Sequence, residues 1–280
     1  MNMQNRIAYL GPPGTFAEEA ALLYDKEAQL IPFPTVSGVA AAVTTGMTDE
    51  GVVPIENSLE GPATDTLDLL IQEDSPLIKR ELVIPIQHHL VARPNTQIQD
   101  VEALFCHPQA LGQCRRFVDR CFPKVPVVAA LSNAAAVEQM MAHPKSAVAI
   151  GPRRAALLYG AAILAENIQD RSSNVTRFVV LARTDNGQTG CDKTSFCFSF
   201  SEDHSGLLFK ILKVFADRNI NLTKVESRPT KESLGQYIFL IDLEGHRQDA
   251  AVSEVLKKVQ SQCDLFKIFG SYPRHKGKSE

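Results

Sequence analysis

Residues 174–182 read Asn-Val-Thr-Arg-Phe-Val-Val-Leu-Ala, a polar opening followed by an apolar run. The run from Phe178 onward is typical of a buried strand, and the polar residues 167–173 ahead of it are typical of a loop. We therefore expect Thr176 and Arg177 where a loop enters a sheet, a common position for functional side chains. The patterns on the two sides of this stretch differ, which predicts a cleft-forming scaffold before it and a separate module after it.

The size and charge of the chain narrow the classes of protein it can belong to. A chain of 280 residues predicts two or three units of roughly 100 to 150 residues each. A net charge of -3 gives no overall attraction for nucleic acid or anionic lipid, which favours a small-molecule partner. No apolar run approaches the roughly 20 residues that span a bilayer, and residues 1–5 lead directly into a strand, so we expect an unprocessed cytoplasmic protein.

The metal-binding residue types do not form a recognisable site. Six cysteines occur without a Cys-x-x-Cys pair or zinc-finger histidine spacing, which predicts reduced thiols. The neighbours His88 and His89 would face opposite sides of a strand and make poor joint ligands for one metal. Two glycosylation sequons, at 174–176 and 221–223, are interpreted as chance matches. We therefore expect no metal.

Two polar turns in the N-terminal third follow predicted strands. Strand 6–10 leads through a glycine turn to a helix, and Thr15 with Glu18 fits a capping box. Backbone N–H groups and the helix dipole there suit a carboxylate or phosphate, although an ordinary tight turn explains the same residues. Strand 51–55 ends in Glu56-Asn57-Ser58, which is either a ligand-facing polar edge or a helix-capping turn.

The alternation of strands and helices up to residue 165 predicts parallel sheets covered by helices. An extended segment after residue 76 is interpreted as a crossover between two lobes. We expect one lobe at about 1–80 with 166–183, the other at about 81–165, and Thr176 to Phe178 at the hinge. Clefts between such lobes often bind small anions.

The pattern changes after residue 183. Residues 184–193 are polar and turn-forming, which predicts a linker. From 194 to 272 the order strand, helix, strand, strand, helix, strand predicts a ferredoxin-like α+β domain, with Phe196, Phe198 and Phe200 on one face. Such sheets often pair edge to edge between subunits. Residues 273–280 are predicted to be a flexible tail.

Several motifs together show a family resemblance. They are Gly11-Pro-Pro-Gly-Thr-Phe, Pro54-Ile-Glu-Asn-Ser, His107-Pro-Gln-Ala-Leu with Gln113-Cys114, and Asn174-Val-Thr-Arg-Phe-Val-Val-Leu-Ala-Arg. The chain resembles the prephenate dehydratase family in its monofunctional form, followed by an ACT domain. The resemblance implies an α/β fold: a two-lobed, periplasmic-binding-protein-like catalytic domain (1–183) with a central cleft, plus a ferredoxin-like ACT domain (194–272). It also implies conversion of prephenate to phenylpyruvate, carbon dioxide and water in phenylalanine biosynthesis, without a cofactor.

The resemblance implies roles for individual residues. Thr176 is expected to donate the proton to the departing ring hydroxyl, with Glu56 as one hypothesis for a relay. Arg177 is expected to hold the pyruvyl carboxylate or order the loop, because a tight grip on the departing carboxylate would stabilise the ground state more than the transition state. The expected substrate-binding residues are Thr15, Asn57, Ser58, His89, Gln113, Ser132 and Asn133. Departures from the family pattern occur at Ala17, Cys106 and Asn133.

The segments Gly206-Leu-Leu and Glu226-Ser-Arg-Pro resemble the two ligand motifs of a phenylalanine-binding ACT domain, and this resemblance implies regulation. Phenylalanine is expected to bind between ACT domains of two subunits and to inhibit, in a homodimer or homotetramer with its ACT domains paired. The expected contacts are Gly206, Leu207, Leu208, Glu226, Ser227, Arg228 and Pro229. Two alternatives remain open at this point: an arogenate dehydratase, which shares the motifs, and a non-catalytic cytosolic amino-acid-binding sensor.

Overall fold

The computed structural model describes residues 4–200, 204–230 and 236–275. By contacts the chain divides into two compact units, residues 1–64 with 82–178 and residues 65–81 with 179–280. Within the described ranges, no helix is long and apolar enough to cross a membrane.

Strands and helices follow one another along the chain in three groups. The first group comprises β1 (Arg6–Leu10), α1 (Phe16–Tyr24), β2 (Gln29–Phe33), α2 (Val36–Thr44), β3 (Glu50–Asn57), β4 (Gly61–Pro62), α3 (Thr64–Ile71) and β5 (Leu77–Pro85). The second comprises β6 (His89–Ala92), a 3-10 turn (Ile98–Asp100), β7 (Ala103–Cys106), α4 (Pro108–Gln113), α5 (Arg115–Cys121), β8 (Val127–Ala129), α6 (Asn133–Ala142), β9 (Ala147–Gly151), α7 (Arg153–Leu158) and β10 (Ala162–Ala165). The third comprises β11 (Val175–Ala182), β12 (Asp192–Ser199), α8 (Leu207–Ala216), β13 (Leu222–Pro229), β14 (Tyr237–Glu244), α9 (Ala250–Gln260) and β15 (Leu265–Pro273).

The first sheet has the strand order β2-β1-β3-β11-β5, and β4 pairs with β3. Strand β1 runs parallel to β2 and β3, as the β-α alternation predicts. Strand β11 begins at Val175 and not at the predicted Phe178. Thr176 and Arg177 are therefore the second and third residues of a strand, and their side chains point to opposite faces of the sheet.

The second sheet has the order β10-β6-β9-β7-β8. Strand β7 is parallel to β8 and β9, but β6 is antiparallel to both β9 and β10, so the prediction of parallel sheets is wrong here. Strand β5 belongs to the first sheet and β6 to the second, and a hydrophobic pattern does not encode the direction in which a strand enters a sheet. The sheet is covered on both faces by buried apolar side chains.

The predicted single helix from 109 to 121 is two helices. Cys114 separates α4 from α5 and adopts φ -117 and ψ 19. All six cysteines are free. Burial raises the pKa of Cys106 to about 11 and, as the main cause, raises the pKa of Cys114 to about 12, so both thiols stay protonated at neutral pH.

The second unit contains a four-stranded sheet in the order β13-β14-β12-β15, with both neighbours of β12 antiparallel to it. Phe196 and Phe198 lie in a core shared with α8 and α9, which confirms the ferredoxin-like domain. Strand β12 begins at Asp192, inside the predicted linker, and β15 extends to Pro273. The predicted turn residue Gly235 and the tail residues 276–280 lie outside the described part of the chain.

Residues 65–81 belong to this second unit, where ion pairs join them to the four-stranded sheet. Arg228 Nη2 lies 2.8 Å from Asp68 Oδ1, and Lys193 Nζ lies 2.8 Å from Glu81 Oε2. A Cβ atom on Gly270 would lie 2.2 Å from the Ile78 carbonyl oxygen, so the backbones meet too closely for any side chain there. The segment is thus a close-packed part of the unit.

Candidate active site

Backbone donors fix the amide orientation of Asn57 at the end of β3. Its Oδ1 accepts hydrogen bonds from the N–H groups of Leu59 at 2.9 Å and Glu60 at 3.0 Å. Because a backbone N–H can only donate, the Nδ2 group must face the other way. It donates to Asn174 Oδ1 at 2.8 Å and to Thr176 Oγ1 at 2.7 Å.

The donor-to-acceptor direction of these hydrogen bonds continues through the side-chain amides of Asn174 and Gln113. Asn174 accepts from Asn57, so its Nδ2 is the group that donates to Gln113 Oε1 at 2.8 Å. Gln113 Nε2 in turn donates to Glu60 Oε1 at 3.1 Å. We call Asn57, Asn174 and Gln113 the amide array. The backbone N–H groups of Leu59 and Glu60 therefore decide which atom donates in each hydrogen bond of the array.

The array determines what Thr176 can do. Thr176 is 8% exposed, and its hydroxyl oxygen accepts a hydrogen bond from Asn57. That bond does not use the hydroxyl hydrogen. A hydroxyl that accepts from one neighbour keeps its own hydrogen for another partner. The geometry therefore prepares Thr176 to act as a hydrogen-bond or proton donor.

Glu56 and Arg177 contact each other. Arg177 Nη1 lies 3.5 Å from Glu56 Oε2. Side chains alternate along a strand, so this pair lies on the opposite face from the contact between Asn57 and Thr176. The neighbour that hydrogen-bonds Thr176 is Asn57, an amide that does not titrate, whereas Glu56 was the expected relay. The contact joins the side chain of Arg177 on β11 to that of Glu56 on β3, whereas the expected roles of Arg177 were to hold the pyruvyl carboxylate or to order the loop.

Similarity to known proteins extends over both halves of the chain. A family model for prephenate dehydratase matches residues 7–186, and one for the ACT domain matches residues 198–260. The chain belongs to the prephenate dehydratase family. It is accordingly an enzyme of the hydro-lyase class, with a C-terminal ACT domain, and both agree with the motif-based predictions.

Individual relatives match nearly the full chain. The bifunctional chorismate mutase/prephenate dehydratase of Aquifex aeolicus is 41% identical over 96% of this chain and 74% of the relative. Arogenate dehydratase 5 of Arabidopsis thaliana is 36% identical over 96% of this chain and 67% of the relative. The crystal structure of a prephenate dehydratase from Arthrobacter aurescens, in complex with L-Phe, has a TM-score of 0.89 and 37% identity, covering 96% of this chain and 90% of that one.

The N-terminus of α1 already carries the protein's own carboxylate. Thr15 Oγ1 accepts from the Glu18 N–H at 3.4 Å and donates to the Leu10 carbonyl oxygen at 3.2 Å. Glu18 Oε2 accepts from the Gly14 N–H at 2.6 Å, where a capping box would use the N–H of Thr15. Arg154 Nη2 contacts Glu18 Oε1 at 2.9 Å. Any substrate anion here would therefore meet a paired carboxylate and not a bare helix terminus.

The remaining expected substrate-binding residues make no hydrogen bond to the array among the described residues. Ser58 Oγ accepts from the Val175 N–H at 3.0 Å, beside Thr176. Ser132 caps α6 through the Ala135 N–H at 3.0 Å. Asn133 Oδ1 is buried and has no hydrogen-bond partner among the described residues. These three side chains stay candidates for substrate contact.

The two adjacent histidines have different neighbours. His88 Nε2 lies 2.9 Å from Gln113 Oε1, so His88, and not the expected His89, adjoins the amide array. His89 Nδ1 accepts from the Asn167 N–H at 3.3 Å. Burial is the main cause that lowers the pKa of both histidines, which keeps them neutral at physiological pH.

Sequence reasoning missed three of these neighbours. Asn174 is 1% exposed and hydrogen-bonds both Asn57 and Gln113, whereas the sequence showed it only as the first residue of a motif and of a sequon, without a role. Glu60 follows the polar turn and carried no signal of its own. For His88, strand alternation indicated that one histidine of the pair faces the cleft but did not indicate which one.

The expected effector-binding residues lie on α8 and β13. Gly206 precedes α8 with φ +86, a backbone conformation that favours glycine. Glu226 Oε2 pairs with Lys224 Nζ at 2.9 Å, and Arg228 pairs with Asp68. Two of the expected side chains are therefore engaged in ion pairs within the second unit.

Proposed function

We propose that this chain converts prephenate to phenylpyruvate, carbon dioxide and water, with Thr176 as the proton donor. The ring carboxylate leaves as carbon dioxide, and its bonding electron pair enters the ring. The ring hydroxyl leaves with the proton from Thr176 as water, and solvent returns that proton before the next turnover. The observation that carries this role is the hydrogen bond from Asn57 Nδ2 to Thr176 Oγ1 at 2.7 Å, which leaves the hydroxyl hydrogen available.

The chemistry also assigns roles to neighbouring residues. Asn57 and Gln113 would contact the substrate in the cleft. Further substrate contacts would come from Thr15, Ser58, His89, Ser132 and Asn133. Arg177 would order β3 against β11 through Glu56 and would not grip the departing carboxylate. No step requires an electron acceptor, so we propose no cofactor. The catalytic domain would comprise residues 1–183, and the ACT domain would begin at Asp192 and end at Pro273.

The test of this function is direct. The purified protein is mixed with prephenate, and phenylpyruvate is followed by its ultraviolet absorbance. Turnover by the wild-type protein supports the proposal and excludes a purely ligand-sensing role. Absence of turnover by folded protein would contradict it. The same assay with arogenate separates the two dehydratase activities, because arogenate carries an amino group where prephenate carries a keto group; we expect the higher kcat/KM with prephenate.

We further propose that phenylalanine inhibits the enzyme at the ACT domain of a homo-oligomer, with contacts from Gly206 to Leu208 and from Glu226 to Pro229. The solved relative from Arthrobacter aurescens contains L-Phe, which supports an amino-acid ligand. Strand β13 is an edge strand, and the exposed apolar side chains Val225 and Tyr237 on β13 and β14 favour pairing with a second copy. Light scattering with and without phenylalanine, beside the inhibition curve, tests both parts; a monomer whose turnover is unaffected by phenylalanine would contradict them.

A further inference from the structure

His88 lies at the far end of the amide array from Thr176. Its Nε2 is 2.9 Å from Gln113 Oε1, and that oxygen also accepts from Asn174 Nδ2 at 2.8 Å. An imidazole nitrogen donates or accepts according to its tautomer. The orientation of Gln113 therefore decides what His88 does.

A carboxylate fixes that orientation from the other side. Gln113 Nε2 lies 3.1 Å from Glu60 Oε1, and an ionised carboxylate only accepts hydrogen bonds. The amide oxygen of Gln113 therefore faces Asn174 and His88. A bare Nε2 lone pair would repel that oxygen, so His88 must carry its hydrogen on Nε2.

The His88 ring is held firmly enough to impose this direction. The residue is 2% exposed, and its ring meets the Phe16 ring edge-on, with centroids 5.9 Å apart. Its backbone N–H donates to Gln169 Oε1 at 3.0 Å, and its carbonyl accepts from the Ile168 N–H at 2.9 Å. The ring contact and the two backbone hydrogen bonds together keep the Nε2 atom of His88 beside the Gln113 oxygen.

We propose that His88 is a positioning residue for the reaction, whose Nε2–H holds the Gln113 carbonyl toward Asn174 and so keeps the array in the single direction that leaves the Thr176 hydrogen free. The array is then fixed at both ends by donors, the backbone N–H groups of Leu59 and Glu60 at one end and His88 at the other. The inference rests on the proposed role of Thr176, but the tautomer of His88 is measurable without any turnover.

The first test is a double-mutant cycle in the full-length protein. His88→Phe keeps a buried ring but removes the donor, and we expect kcat/KM to fall roughly threefold to tenfold, the effect of one hydrogen bond. His88→Gln restores an N–H near the ε position and is expected to recover most of that loss. In a Gln113→Ala background His88→Phe is expected to have less than about a twofold effect, because its partner is gone. Val118→Ala, which removes buried side-chain volume from α5 without removing a hydrogen-bond donor, controls for general destabilisation.

The second test reads the tautomer in the resting protein. Nitrogen-detected NMR of 15N-histidine-labelled protein should show His88 with hydrogen on Nε2 alone at neutral pH, and the resonance is assigned by its absence from His88→Gln. In Gln113→Ala the Nε2–H resonance should shift as its hydrogen bond is lost.

Two results would overturn the proposal. One is equal losses from His88→Phe in the wild-type and Gln113→Ala backgrounds, which would mean that His88 only stabilises the fold. The other is hydrogen on Nδ1 in the resting protein. If Thr176 proved not to be the proton donor, the NMR result would stand and only the kinetic effect would vanish, so the two failures are distinguishable.

Discussion

In the first unit, Thr176 is hydrogen-bonded to an uncharged amide that is itself bonded to another amide. In the second unit, ion pairs join residues 65–81 to the four-stranded sheet. An amide has a donor end and an acceptor end, so a series of amides has a direction that does not change with pH. An ion pair has no such direction, and its strength depends on the charge of both partners. Directional contacts suit the orientation of a proton, and ionic contacts suit a connection that an effector is to alter.

The largest expected effect comes from removing the donor that the array orients. Thr176→Val keeps the side-chain shape and removes the hydroxyl, so we expect kcat with prephenate to fall roughly 10²- to 10⁴-fold. Thr48→Val is the matched control, because Thr48 is buried and its hydroxyl has no hydrogen-bond partner among the described residues. If Thr176→Val kept more than a tenth of wild-type kcat with an unchanged circular dichroism spectrum, the array would be orienting the wrong group.

The next effect concerns the buried ion pair of the second unit. Lys193→Met leaves the carboxylate of Glu81, whose side chain is 3% exposed, without its ammonium partner. We expect the free energy of unfolding to fall by about 3 kcal/mol, measured by urea denaturation of the whole chain. Lys213→Met breaks an exposed pair with Asp217 and is expected to cost less than about 0.5 kcal/mol. Equal shifts for the two variants would mean that burial does not distinguish these pairs.

A smaller effect is expected from the ion pair between Asp68 and Arg228, which is one of the expected phenylalanine contacts. Asp68→Asn removes the charge that Arg228 contacts, and we expect the phenylalanine concentration for half-inhibition to change roughly threefold, with turnover in its absence unaltered. Asp65→Asn, an exposed change in the first turn of the same helix, is the control. An unchanged inhibition curve for Asp68→Asn would separate this ion pair from regulation.

Much of the architecture was predictable because its signals are local. The alternating run at Phe196 to Phe200 and the helix pattern after Gly206 describe the ACT domain without knowledge of its partners. The capping residues Thr15 and Ser132 were also recognisable, because a cap bonds to the helix that follows it. Family motifs then indicated Thr176, Asn57 and Gln113.

What escaped prediction depends on contacts between distant parts of the chain. The direction of β6 follows from how it enters the second sheet, and the grouping of residues 65–81 with the second unit follows from ion pairs across more than 100 residues of sequence. Asn174 lies 117 residues from the Asn57 side chain that it contacts. A pattern of apolar and polar residues carries no record of such partners.

The central claim, that the donor end of Asn57 leaves the Thr176 hydrogen free, is tested most directly by the pH dependence of Asn57→Asp. The ionised carboxylate only accepts, so the Thr176 hydroxyl would turn its hydrogen toward it, and the account predicts at least a roughly tenfold loss of kcat/KM at pH 8. Protonation of that carboxyl restores a donor, so the ratio of variant to wild-type activity should rise as the pH falls, after the uncatalysed rate is subtracted at each pH. A variant with wild-type activity at pH 8, or with a ratio that stays constant while the pH falls through the titration of that carboxyl, would contradict the account.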